Sequence, residues 1–208
     1  MGVQCPRGCH QGCQRACRLY WNDAQLKNMW TVEWLVQPLR DAPHGVVSLD
    51  SGGDTPGNLS SLSWGGFVPL QAPYEPSLEV CITPRISEES TAEFTAGLQE
   101  WGEVNNGFIR FRLSEGVLIA EVSNGTHSES RTASRTPRPA SPSILWFKTN
   151  DGRLQFTVDG LPAAEFEPGT APLPARPLQP VLALRSAPGA TQSVDVDYVS
   201  LPYVESIR

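Results

Sequence analysis

From Trp30 the chain alternates: Trp30, Val32, Trp34 and Val36 fall on every second position, and Pro38 closes the run. A period of two belongs to a strand with one buried face. Residues 48–66, rich in Ser, Gly and Asp, read as a loop with at most one short strand. Val80, Ile82 and Ile86 mark a β-type run over 78–86, and Pro84 within it predicts an edge or bulged strand. Residues 91–101 fit helix or strand by period and are assigned to a strand from their β neighbours. The pattern then sharpens. Ile109, Phe111 and Leu113 alternate with Phe108, Arg110 and Arg112, which predicts a strand with one apolar and one mixed face. Ser114-Glu115-Gly116 turns the chain into a strand over 117–122, and Asn124-Gly125 turns it again. Segment 131–143 is basic and rich in Pro and Ser, with too little apolar surface to order itself. Short strands over 144–148, 154–158 and 163–166 follow, joined by Asp151-Gly152 and Asp159-Gly160, so a meander with primed turns is expected. A Pro-punctuated connection over 167–180 leads to strands over 181–185 and 194–201.

Short strands without a credible long helix predict an all-β, antiparallel two-sheet β-sandwich, its interlayer filled by Trp and Phe. Nineteen Pro and 18 Gly in 208 residues speak against a mostly helical chain. A net charge of -6 gives no field to attract nucleic acid or an anionic membrane, and no apolar stretch is long enough to span a bilayer. The first 20 residues lack the apolar core of a secretory signal, so no export of the chain by that route is expected.

Residues 1–29 read as a loose Cys-rich arm ahead of a sandwich domain over 30–208. Cys5, Cys9, Cys13 and Cys17 recur every four residues, and Pro6, Gly8 and Gly12 make the first part a poor helix. On a helix the four sulfurs would spread over about 18 Å, too far for one metal ion. Were the arm to bind zinc, His10 would be the extra ligand. Cys81 stands alone in an apolar run.

Leu145-Trp146-Phe147, the stretch Gly152-Arg153-Leu154-Gln155-Phe156-Thr157-Val158-Asp159-Gly160, the run Pro180-Val181-Leu182-Ala183-Leu184, and Val194-Asp195-Val196-Asp197-Tyr198-Val199 resemble, in this order, the second half of concanavalin A-like lectin/glucanase domains. Thr95-Ala96-Gly97-Leu98 and Gly107-Phe108-Ile109-Arg110-Phe111 are similar to that family's central strands. The resemblance covers roughly residues 75–201 and implies a jelly roll.

Glucanases of this fold carry spaced carboxylates in an E-x-D-x-x-E pattern, because retaining hydrolysis needs two carboxyl groups about 5–5.5 Å apart. This sequence has none. Glu88 and Glu89 are adjacent, and Asp195 and Asp197 read as solvent-facing positions opposite Val194, Val196 and Tyr198, with calcium ligation the alternative. None of His10, His44 and His127 lies in a nucleophile motif. The expectation is therefore a chain that is not an enzyme and needs no cofactor. Candidate sugar platforms are Trp64, Tyr74, Trp101 and Phe108. The resemblance, combined with the missing export signal, implies a structural component of a phage virion, a homo-oligomer among other virion proteins. An extracellular glycan-binding or glycoside-hydrolase-like domain is the alternative.

Overall fold

The structure, a computed structural model, describes residues 17–20, 30–33, 36–39, 46–50, 59–64, 76–87, 90–100, 106–185 and 192–201, with backbone only for the first three strands and Trp64. These residues form two antiparallel sheets packed face to face. The strands are β1 (Cys17–Tyr20), β2 (Trp30–Glu33), β3 (Val36–Leu39), β4 (Val46–Asp50), β5 (Leu59–Trp64), β6 (Ser77–Arg85), β7 (Glu93–Glu100), β8 (Phe108–Ser114), β9 (Val117–Ser123), β10 (Ser128–Thr132), β11 (Ser143–Asn150), β12 (Arg153–Val158), β13 (Leu161–Phe166), β14 (Leu178–Arg185) and β15 (Ser193–Leu201). One sheet has eight strands, ordered β13-β12-β11-β6-β15-β4-β3 with β1 against β15; the other has seven, ordered β10-β9-β8-β7-β14-β5-β2. The expected all-β sandwich is the observed fold.

Alternation in the sequence becomes inside and outside. In β8, Ile109, Phe111 and Leu113 are buried in the core while Phe108, Arg110 and Arg112 face outward, partly exposed. The interlayer is built on phenylalanine. Phe111 of the seven-stranded sheet meets Phe156 of the other edge to face at 4.9 Å between centroids, and Phe147 and Phe166 flank Phe156 at 5.4 and 5.8 Å. Trp146, by contrast, sits half-buried on the outer face of the eight-stranded sheet, its indole donating to Ser77 at 3.2 Å. The expected primed turns are present: φ is positive at Asp151 and Gly152, at Asp159 and Gly160, and at Glu115 and Gly116.

Several expectations need correction. The alternating run from Trp30 is two strands in different sheets, β2 against β5 and β3 against β4. Pro38 lies inside β3, an end strand of its sheet, where one face of the ladder needs no donor. Segment 48–66 supplies parts of two strands, β4 and β5. β6 is central, not an edge: it pairs with both β11 and β15. Pro84 is tolerated because the pairing with β11 ends at Ile82, and the Pro84 carbonyl on that side accepts from Ala140 N at 2.7 Å. The bulge lies in β15, between Val196 and Tyr198. Past it Val199 and Leu201, and not Tyr198, continue the core face, while the Tyr198 hydroxyl donates to Glu79 at 2.9 Å. Residues 131–132 belong to β10, and the rest of the basic segment is pinned: Ala133 N and Ser134 N donate to Leu118 and Ala163 carbonyls, each at 2.8 Å. Local composition failed there because backbone hydrogen bonds, with Ala133 and Pro137 buried, order a segment poor in apolar side chains.

Cys17 lies in β1, paired with Leu201. Cys5, Cys9, Cys13 and His10 lie outside the described residues, as do His44, Glu88 and Glu89.

Candidate functional site

Cross-strand register lays out the outer face of the seven-stranded sheet in rows. Ser63, Val181, Gly97, Arg110 and Glu121 face one another across β5, β14, β7, β8 and β9. The row beside it runs Ser61, Ala183, Thr95, Arg112 and Ile119, and the row on the other side Gln179, Gln99, Phe108 and Ser123. This face is polar where the opposite face of the same strands is apolar, as the period of two requires.

At its centre Thr95, Gly97, Gln99, Phe108, Arg110 and Val181 line a shallow, open hollow that encloses only about 20 Å³. Gly97 is its floor. A Cβ there would stand 2.4 Å from the Arg110 Cβ and 2.3 Å from the Ile109 carbonyl oxygen, so only glycine lets β7 and β8 approach this closely.

Charge on this face is organised around Glu121. One of its oxygens accepts from Arg110 Nε at 2.7 Å and the other from Arg112 Nε at 2.8 Å. Arg112 also reaches Glu93 at 3.5 Å. Burial works against the charge on Arg112, but Glu121 and Glu93 outweigh it and raise the guanidinium pKa. The Arg110 guanidinium lies over the Phe108 ring, 4.1 Å from its centroid, so the ring and the Glu121 carboxylate together fix its orientation. Gln179 Oε1, at the end of the third row, is buried without a hydrogen-bond partner among the described residues.

A second carboxylate anchors the rim. Glu100, 4% exposed, accepts from Gly107 N at 3.0 Å through one oxygen and from Ala175 N and Arg176 N at 2.9 and 3.0 Å through the other. Burial pushes its pKa up, yet these three backbone donors and the Arg176 charge prevail, and the pKa falls below the ordinary glutamate value.

Of the sequence-based sugar platforms, Phe108 lines the hollow. Trp64 lies in β5, its side chain outside the described residues, and Tyr74 and Trp101 also lie outside them. Asp195 is on the outer face of the other sheet, held by Ser48 Oγ at 2.8 Å and Arg85 Nε at 3.1 Å. Among the described residues no three or more His, Cys, Asp or Glu side chains converge as metal ligands, and no helix is long and apolar enough to cross a membrane. Sequence reasoning missed Arg110, Arg112, Glu121 and Gly97. The two arginines on the polar phase of β8 were the visible signal; their partners required the strand register.

No protein-family model matches the chain, and no curated protein sequence matches it either. Solved structures do. A prokaryotic β-1,3-1,4-glucanase (lichenase) from a mouse hindgut metagenome superposes with a TM-score of 0.66 at 11% identity, covering 90% of this chain and 99% of that one. The Crh5 transglycosylase gives 0.67 at 10% identity over 91% and 85%. The carbohydrate recognition domain of Emp47p gives 0.63 at 13% over 84% and 88%. The fold is thus the concanavalin A-like jelly roll. At these identities the likeness shows the fold alone. It nevertheless corrects the expectation that the chain is not an enzyme: that reading rested on a missing carboxylate pattern, and the structures that share the fold include a glucanase and a transglycosylase. None of the three is named as a virion component.

Proposed function

We propose that this chain is an extracellular glycan-acting domain that takes a saccharide chain across the outer face of the seven-stranded sheet, over Phe108 and Gly97. The observation that carries the reading is the hollow itself. An aromatic ring, an oriented guanidinium, a threonine and a glutamine line it around a glycine floor. Sugars offer an apolar face for an aromatic ring and hydroxyls for polar neighbours, and this mixture supplies both. The glycan chemistry named for the lichenase, the transglycosylase and the carbohydrate recognition domain supports it. A virion role and self-association draw no comparable support from those structures.

The test is a glycan array probed with the full chain and with Phe108→Ala, alongside product analysis on mixed-linkage β-glucan. Retention of a defined set of glycans, lost or weakened at least about tenfold in the variant, is expected. Turnover abolished by Glu121→Gln would make the same face an active site. No retention of any glycan and no turnover would overturn the proposal.

A further inference from the structure

We infer that the saccharide is acidic, its carboxylate or sulfate seated on Arg110; this rests on the glycan-binding face proposed above and names its substrate class. Among the described residues Arg110 is the one charged residue lining the hollow. Among the described residues its ion pair uses Nε alone, with Glu121 Oε2 at 2.7 Å, which leaves the two terminal nitrogens to a ligand. Those nitrogens form a planar fork that matches an oxyanion through two parallel hydrogen bonds.

The fork is also preorganised. Glu121 holds Arg110 from one side, Phe108 lies under the guanidinium, and Arg112 shares the opposite oxygen of the same carboxylate. Little side-chain entropy remains to be lost on binding. Glu121, only 12% exposed at its side chain, is itself occupied by two Nε donors, so the carboxylate beside the hollow is shielded from an incoming anion by the cations it orients. Gly97 lets Arg110 take this position, since a side chain there would displace Arg110 at its Cβ. A neutral sugar can offer the terminal nitrogens only uncharged hydroxyl acceptors, whereas a carboxylate or sulfate gives the fork two charged oxygens at once.

Isothermal titration of the full chain with three oligosaccharides of equal length tests this: a neutral mixed-linkage glucan, an oligogalacturonate and a heparin-derived fragment. Binding of at least one acidic probe should exceed the neutral one by about tenfold or more and weaken with added salt. Arg110→Gln should abolish the preference and Arg110→Lys, which keeps charge without the fork, should reduce it. Arg135→Gln, on the exposed basic segment away from the hollow, should leave it intact. Uronate over sulfate, or the reverse, identifies the anion. Equal affinity for neutral and acidic probes, or a preference that survives Arg110→Gln or vanishes with Arg135→Gln, would overturn the inference while leaving glycan binding standing. Failure of all three probes, in a chain that also retains nothing on the array, would sink both.

Discussion

Glu100→Gln isolates a buried carboxylate whose role is to tie β7 to two other segments. In the native chain its two oxygens receive Gly107, Ala175 and Arg176 amides. Glutamine has one acceptor. If that oxygen keeps the Ala175 and Arg176 amides, which lie near solvent, its NH₂ group confronts the N–H of buried Gly107, donor against donor. Gly107 cannot retreat easily, because its Cα sits where a Cβ would already be 2.9 Å from the Glu100 carboxyl carbon and from the Ser123 carbonyl oxygen. Loss of one charge-assisted bond to a buried donor costs about 1.5–3 kcal/mol. For a chain of this length that lowers Tm by roughly 3–12 °C. The sign of the pH dependence follows from the lowered pKa. The carboxylate contributes fully above the ordinary value of 4.5 and loses its contribution as pH falls through the lower folded value. Urea unfolding of both chains from neutral pH to about pH 3 should therefore show a gap that is full near neutrality and closes on acidification. Equal midpoints near neutral pH, or a gap that persists unchanged into acid, would refute the reasoning.

Phe156→Ala removes the ring that touches Phe111, Phe147 and Phe166 together, and a loss of about 3–5 kcal/mol in urea melts is expected. Glu115→Asn should stabilise by about 0.5–1 kcal/mol, visible as a higher midpoint, because Glu115 occupies the left-handed region (φ 51°) at a turn position that asparagine tolerates better. Gly97→Ala should lower thermal stability and also perturb any saccharide binding, since the added methyl collides with backbone and with Arg110; unchanged melting would show that β7 and β8 can part at little cost. We further propose that residues 30–208 fold by themselves: a chain starting at Asn28 should keep a cooperative melt while losing the four-residue pairing of β1 with β15, and loss of cooperativity would show the arm to be part of the fold.

Much of the sandwich is written locally. The strict alternation of β8, and the Asp-Gly and Glu-Gly steps whose backbones take positive φ, specify strands and primed hairpins through interactions within a few residues, so the meander β11–β12–β13 was legible before any sheet was known. Where a decision depended on a distant partner, the sequence was silent. The run from Trp30 has one period throughout, yet it divides between sheets because β5 and β4 each receive one half of it. Pro84 reads as an edge residue, but the end of β11 and the Ala140 amide make its place in a central strand harmless. The candidate site is the clearest case. Phe108 could be singled out as an aromatic near a turn, and Arg110 and Arg112 as the polar phase of a strand. Their joint hold on Glu121 and the glycine floor at Gly97 come from the register of β7, β8 and β9, a long-range property set by which strands lie side by side and not by the residues within any one of them.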